Sequence, residues 1–360
     1  MARIDAFFKL MHEQKASDLH LVAGQQPCLR VRGEMERVKF KVLDNDELKS
    51  MLYEITPEEK IKTFEETGDV DFAYEIPGLA RYRSNFFQQN FGVGAVFREI
   101  PNEIMTVEQL GLPPVVSKLA VLPRGLVLVT GPTGSGKSTT LAAIIDEANR
   151  QRKDHIITIE DPIEFVHRSK NSIVNQREVG MHTRSFASAL RGALREDPDI
   201  ILVGEMRDLE TISLAIEAAA TGHLVFATLH TTSAAKTVDR VIEVFPAEQQ
   251  AQIRSTLADG IRAVISQNLL KRVDIPGRIC CPEILIATHA VRALVREAKT
   301  YQIPTAIQTG KKYGMQTLDD SIMTHLKANR ISPDEAYMKC EDKEKFRPHL
   351  RTPPADFTEV

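Results

Sequence analysis

The stretch GPTGSGKST at 131–139 has the residue types and spacing of a phosphate-binding loop. An apolar strand pattern, GLVLVT, precedes it, and a helical pattern, STTLAAIIDEAN, follows it. Glycines let backbone N–H groups converge on phosphate oxygens, and the helix N-terminus adds the positive end of its dipole. The stretch therefore predicts a site for ATP and Mg²⁺, in which Lys137 neutralises the β- and γ-phosphates and Ser138 ligates the metal. The candidate binding residues are Gly131, Pro132, Thr133, Gly134, Ser135, Gly136, Lys137, Ser138 and Thr139.

Three further candidates stand at the ends of apolar runs that follow the loop. IITIEDP ends in Glu160, IILVGEMRD carries Glu205, and LVFATLH ends in His230. Because the carboxyl ends of parallel strands line the ligand crevice of such a sheet, these side chains are predicted to surround the phosphates. One glutamate would activate the attacking water, Glu205 would also reach a magnesium-bound water, and His230 would sense the γ-phosphate. The residues alone leave open which glutamate is the general base.

The residue before Glu205 raises a question about this set. Gly204 stands where most strands of this kind carry an aspartate. Glu160 can supply the missing function, because the general base of RecA-like proteins ends the corresponding strand. The alternative is that each strand-end side chain only caps a helix or faces solvent. Three polar ends on three successive apolar strands favour the chemical interpretation.

Four regions of the chain would position these residues. Residues 1–100 alternate polar and apolar side chains in short runs, which predicts a small α/β domain rich in antiparallel strands. The prolines and loss of pattern at 101–114 predict a linker. In 115–275, short apolar runs alternate with helical segments, which favours a parallel sheet covered by helices on both faces. A helical region and a tail are predicted for 276–360.

Two capping boxes predict where helices begin. Thr56 and Glu59 flank the start of one helix in the first region, with Pro57 at its first position. Ser332 and Glu335 do the same in the last region.

Composition argues against several other classes of protein. The formal net charge of −3 gives no global signal for nucleic acid, and no apolar run approaches the ~20 residues of a membrane-spanning helix. The four cysteines form no CxxC pair, so neither a zinc ribbon nor a disulfide framework is expected. These features predict a cytoplasmic protein with no transmembrane segment and no nucleic-acid partner.

Five boxes in order resemble those of the secretion-type hexameric ATPases, and most closely the type IV pilus retraction ATPases of the PilT family. The boxes are ASDLHL, GPTGSGKST, ITIEDPIEFVH, LREDPDIILVGEMRD and TGHLVFATLHT. The resemblance covers nearly the whole chain, and the glycine before Glu205 is normal in that family. A later element, AVRALVRE, resembles the family's AIRNLIRE, but Ala293 replaces the asparagine and valines replace two isoleucines.

The resemblance implies an N-terminal PAS-like α/β domain followed by a RecA-like P-loop ATPase domain with a C-terminal helical region. It implies a homohexamer in which Arg81, Arg83 and Arg98 of the N-terminal domain reach the phosphates. ATP hydrolysis would power pilus retraction and twitching motility through an inner-membrane platform protein, with the ring docked peripherally at that membrane. A paralogous pilus ATPase is a further expected partner.

Other functions fit the residues less well. Pilus-extension and type II secretion ATPases usually carry an extra N-terminal domain and a four-cysteine zinc element, which this sequence lacks. A retraction-accessory paralogue (PilU-like) stays an alternative, because Ala293 departs from the family element. A RecA-like nucleic-acid translocase is disfavoured by the mild acidity and by the absence of tryptophan. A nucleotide-gated binding module is disfavoured by the full set of Lys137, Ser138, Glu160 and Glu205.

Overall fold

The computed structural model describes residues 2–31, 33–100 and 103–350, and the chain divides into two compact units. One unit runs to Glu103 and also includes Pro162–Val166. The other unit comprises the rest of the described chain.

The described part of the predicted linker packs into the second unit from Ile104 onward and is not a free linker there. Residues from Ile104 onward belong to the second unit, and the side chains of Val107 and Leu112 are buried in its core. Residues 101–102 lie outside the described residues.

The first unit is an antiparallel sheet with three helices. Its strands are β1 (Asp18–Val22), β2 (Cys28–Val31), β3 (Glu34–Arg37), β4 (Asp69–Ile76), β5 (Ala80–Gln89) and β6 (Gly92–Ile100), and its helices are α1 (Asp5–Glu13), α2 (Asn45–Tyr53) and α3 (Glu58–Thr67). The described strands pair in the order β3-β2-β1-β6-β5-β4. Aromatic rings fill the core: Phe8 of α1 stacks on Tyr82 at 4.2 Å between ring centroids and meets Phe97 edge-on at 4.9 Å.

The second unit is built on a mostly parallel sheet. Its strands are β7 (Gly125–Thr130), β8 (His155–Glu160), β9 (Ile173–Glu178), β10 (Ile200–Val203), β11 (Leu224–Leu229), β12 (Ile261–Lys271) and β13 (Arg278–Ile286). The described strands pair in the order β13-β12-β7-β11-β10-β8-β9, and only β13 runs antiparallel to its neighbour. Every residue of β7, β10 and β11 is buried, which explains why these strands are continuous apolar runs.

Helices cover both faces of this sheet. They are α4 (Val115–Leu119), α5 (Lys137–Gln151), α6 (Phe186–Ala193), α7 (Leu209–Thr221), α8 (Ala234–Glu243) and α9 (Ala247–Gly260). Successive residues of β7 point to opposite faces, so Leu126 and Leu128 join one hydrophobic cluster while Val127 and Val129 join the other.

The region predicted to be helical from 276 begins with a strand. Arg278–Ile286 forms β13, which pairs with β12 along its whole length and belongs to the main sheet. The helices follow: α10 (His289–Arg296), α11 (Ile303–Thr309), α12 (Leu318–Lys327), α13 (Pro333–Lys339) and α14 (Lys343–Phe346). The tail from 351 lies outside the described residues. Within the rest, no helix has the length and apolar character needed to cross a bilayer.

One of the two predicted capping boxes is confirmed in its N-cap half only, because the Glu335 carboxylate accepts from the Lys271 N–H instead of from Ser332. The Ser332 hydroxyl accepts a hydrogen bond from the Glu335 N–H at the start of α13. The box at Thr56 is wrong, because the Thr56 hydroxyl instead donates to the Leu52 carbonyl at the end of α2. Helix α3 starts after Pro57 without a side-chain cap. The predicted fold class, an α/β chain with a parallel P-loop sheet and a C-terminal helical part, is confirmed.

Candidate active site

The glycine-rich loop connects the end of β7 to the start of α5. Gly131, Gly134 and Gly136 all have positive φ, at 141°, 76° and 88°, so side chains at these positions would strain the loop. Helix α5 begins at Lys137, directly after Gly136. The Lys137 ammonium donates to the carbonyl oxygens of Gly131 (2.9 Å) and Pro132 (3.1 Å), which holds the cation over the loop.

Glu205, His230 and Lys137 form a connected set at the edge of the sheet. His230 follows β11, and its Nε2 lies 2.8 Å from Oε1 of Glu205, while its Nδ1 lies 3.5 Å from the Lys137 ammonium. A neutral imidazole with its proton on Nε2 satisfies both contacts, because it donates to the carboxylate and accepts from the lysine. The structure therefore brings together one residue from each of three predicted motifs.

Arg207 fixes the charge state of Glu205. Its Nη2 donates to Oε2 of Glu205 at 2.6 Å. Burial raises the pKa of Glu205, but the hydrogen bond and charge of Arg207, together with the hydrogen bond from His230, outweigh it, and the pKa lies below its ordinary value. The turn that carries Glu205 ends at Asp208, whose carboxylate caps α7 by accepting from the Thr211 N–H at 2.8 Å. Glu205 is thus an ionised carboxylate in a well-anchored turn.

Glu160 is positioned differently from Glu205. It ends β8, and its Oε1 accepts hydrogen bonds from the Thr158 hydroxyl at 2.6 Å and from the Gln176 amide at 3.1 Å. These two hydrogen bonds orient the carboxylate at the end of the strand.

Gly204 is required by the close approach of two backbones. Its N–H donates to the Ile159 carbonyl at 2.8 Å, and its own carbonyl accepts from the Thr228 hydroxyl. A Cβ at this position would lie 3.1 Å from the Ile159 oxygen and 3.3 Å from Cα of Glu160. An aspartate here would therefore push against the segment that carries Glu160, which explains the unusual residue.

The hydroxyl of Ser138 suits a magnesium ligand. It is half-buried at the second residue of α5, and within the described chain it makes no hydrogen bond. Those residues also contain no group of three or more His, Cys, Asp or Glu side chains placed to hold a metal.

Gln267 is a site residue that the sequence analysis missed. It is 1% exposed on β12; its Nε2 donates to the Ser135 carbonyl at 2.8 Å, and its Oε1 accepts from the Thr140 hydroxyl at 3.0 Å. One amide therefore ties the loop to the helix that follows it. Its signal in the sequence is a polar pair, Ser266-Gln267, inside an apolar strand.

The three arginines of the first unit have different surroundings. Arg98 donates to the buried carboxylate of Asp18 at 2.8 Å, which gives it a structural ion pair. Arg81 is largely buried, with its guanidinium 3.9 Å from Glu75. Arg83 is opposite Arg98 in the β5–β6 pair, is 44% exposed, and approaches Asp71 only to 3.8 Å. Of the three pairs, only that of Arg83 is well exposed on both sides, because the Asp71 side chain is 49% exposed.

Comparison with known proteins identifies clear relatives. The family described as "Type II/IV secretion system protein" matches residues 2–298. The chain is 54% identical to the type IV pilus retraction ATPase PilT of Pseudomonas aeruginosa, over 93% of this chain and 97% of that protein. It is 36% identical to the type IV pilus ATPase PilU of the same organism, over 95% and 90%. A crystal structure of the pilus retraction motor PilT with bound ADP aligns with a TM-score of 0.89 and 44% identity, over 96% of this chain and 98% of that one.

Replacement of Gly204 by alanine is expected to slow catalysis. The added Cβ would meet backbone atoms of Ile159 and Glu160, which cannot yield without moving the Glu160 carboxylate. We expect kcat for ATP hydrolysis to fall about tenfold to a hundredfold, the cost of a small misplacement at a reacting centre. Gly192→Ala in α6 is the matched control, because its Cβ would meet only flexible side-chain ends. Equal kcat in the two variants would contradict this account of Gly204.

Replacement of Gln267 by alanine is expected to loosen the phosphate loop. It leaves the Ser135 carbonyl and the Thr140 hydroxyl without their partner, at a cost of about 1–3 kcal/mol in the free energy of unfolding. ADP affinity, measured by calorimetry, should fall about tenfold. Asn268→Ala, the half-buried neighbour on the same strand, should change neither quantity appreciably. Unchanged ADP affinity in Gln267→Ala would show that the amide does not shape the loop.

Proposed function

Because this chain belongs to the type II/IV secretion system protein family, we propose that it is an ATPase that powers retraction of a type IV pilus. The observation that supports ATP hydrolysis at this site is the contact of His230 with both Glu205 and Lys137 beside the glycine-rich loop. Identity to the PilT relative, at 54%, exceeds identity to the PilU relative, at 36%, which favours a retraction motor over the accessory paralogue. The chemistry is transfer of the γ-phosphoryl group of ATP to water.

Each side chain has a distinct role in the proposed reaction. The loop N–H groups and Lys137 bind the β- and γ-phosphates, and Lys137 is already held over the loop. Ser138, with Glu205 through water, would hold Mg²⁺, which neutralises phosphate charge when bound. His230 connects Glu205 to the lysine, so a phosphoryl oxygen that draws Lys137 away also changes the surroundings of Glu205.

We assign Glu160 as the general base. Glu205 lies between Arg207 and His230, and a carboxylate stabilised in its ionised form is a weak proton acceptor. The Oε1 atom of Glu160 is oriented by hydrogen bonds from Thr158 and Gln176 at the point where β8 ends. The two glutamates thus differ in their hydrogen-bond partners. Glu160 would take the role of the aspartate that is absent at position 204.

The assembly is proposed as a homohexamer that docks at the inner membrane. The family resemblance suggests that an arginine of the N-terminal unit reaches the nucleotide of a neighbouring subunit, where it would offset charge in the transition state. Arg83 suits this role best, because both side chains of its contact with Asp71 are well exposed. A platform protein in the membrane would receive the motion, and a paralogous pilus ATPase would act beside this ring.

Isosteric variants of the two glutamates should separate their roles. Glu160→Gln is expected to lower kcat about a hundredfold or more while ADP affinity stays at the wild-type value, because a general base contributes to the chemical step alone. Glu205→Gln should also lower kcat and should raise the Mg²⁺ concentration that gives half-maximal activity. Glu210→Gln, an exposed change on α7, is the matched control. An unchanged kcat in Glu160→Gln would refute its assignment as the base.

Arg83→Ala is expected to slow hydrolysis more than it weakens nucleotide binding. An arginine that contacts the phosphates only during catalysis lowers the barrier without adding ground-state affinity. The control is Arg37→Ala, an exposed arginine on the edge strand β3 with no ion pair to a described residue. Steady-state kinetics and binding of a non-hydrolysable ATP analogue give the two quantities. A parallel loss of both would identify an ordinary binding contact instead.

A further inference from the structure

A polar cavity lies at the start of β7, at the opposite end of that strand from the phosphate loop. It has a volume of about 300 Å³ and is lined by Arg124, Ser255, Thr256, Asp259 and Arg262, with two alanines of α7. Arg124 directly precedes β7 and Arg262 is the second residue of β12, whereas the phosphate loop follows the far end of β7. The length of β7 separates the two sites by on the order of 20 Å.

The arginines at and beside this cavity carry more charge than the acidic side chain there offsets. Burial lowers the pKa of Arg262, the nearby charges of Arg292 and Arg124 lower it further, and Asp259 opposes them only in part. Within the described chain, no carboxylate lies within 4 Å of the guanidinium of Arg124, Arg262 or Arg292. The one acid at the cavity, Asp259, is paired with Arg296 at 2.8 Å.

Structural hydrogen bonds account for only part of this cluster. Nη1 of Arg262 donates to the carbonyls of Asp259, Gly260 and Ile261 at the end of α9, and the other nitrogens of that guanidinium make no hydrogen bond to a described residue. Arg292 of α10 is a neighbour of Arg262 and does not itself line the cavity. Its buried Nε has no hydrogen-bond partner among the described residues. Three cations held close together with only partial counter-charge are costly, and a bound anion would relieve that cost.

We propose that this cavity binds a soluble phosphorylated small molecule. Guanidinium groups match phosphoryl oxygens in charge and geometry, and the Ser255 hydroxyl makes no hydrogen bond to a described residue and is available as a further donor. The volume exceeds what a single phosphate group needs and falls at the lower end of the range for small-molecule sites. The site is separate from the ATPase chemistry and lies beside α10, whose Arg296 reaches the cavity's only acid.

Calorimetric titration with pyrophosphate tests the proposal. The full-length protein is first saturated with ADP, without added divalent cation, so that the phosphate loop is filled. Saturable binding of pyrophosphate is expected in the wild type, and Arg124→Gln should bind about tenfold or more weakly, the value of one charge-assisted hydrogen bond. Arg124 is exposed, so its replacement leaves the fold intact, whereas Arg262 caps α9 and is unsuited to the test.

Arg278→Gln is the matched control, because it removes an equal charge from an exposed position at the start of β13, away from the cavity. It should bind pyrophosphate with wild-type affinity at the same ionic strength. Equal affinities in the Arg124 and Arg278 variants, or no saturable binding in the wild type, would overturn the proposal. Succinate bound as tightly as pyrophosphate would overturn the assignment of a phosphorylated ligand.

Discussion

Parallel pairing of four neighbouring strands is the constraint on which the whole site depends. Val203 of β10 is in register with Ile159 of β8 and with Ala227 of β11, and β11 is in register with β7 up to Thr130. The carboxyl ends of these four strands therefore lie together at one end of the sheet, which is the common strand edge. The phosphate loop and three polar side chains emerge there without any of the buried strands carrying a charge inside the sheet.

Backbone proximity at that edge determines which residue types the site uses. The ends of β8 and β10 come so close that the first residue after β10 is a glycine, and the carboxylate moves one position along the chain to Glu205. There it lies between Arg207 and His230, which keeps it ionised. Glu160 instead accepts hydrogen bonds from Thr158 and Gln176, and we propose it as the base that activates water. The steric constraint at position 204 thus places the two carboxylates in different surroundings.

Much of this arrangement could be predicted from the sequence, because short local patterns indicate it. The loop, the apolar strands and their polar ends are signals of a few adjacent residues. Predictions failed where a distant contact decides the structure. Thr56 has the residue type of an N-cap, but its hydroxyl donates to the Leu52 carbonyl of α2. Arg278–Ile286 forms a strand by pairing with β12, which precedes it in the chain. Gln267 was missed because its partners, Ser135 and Thr140, are more than a hundred residues away in the chain.

The central claim is that this chain hydrolyses ATP at the common strand edge and that a neighbouring subunit completes the site. Steady-state phosphate release, measured over protein concentrations from far below to far above micromolar, tests it most directly. We expect a specific activity that rises with protein concentration and then saturates as rings assemble. Absence of turnover at every concentration would contradict the enzyme, and a constant rate from a sample that is monomeric by size would contradict completion by a neighbour.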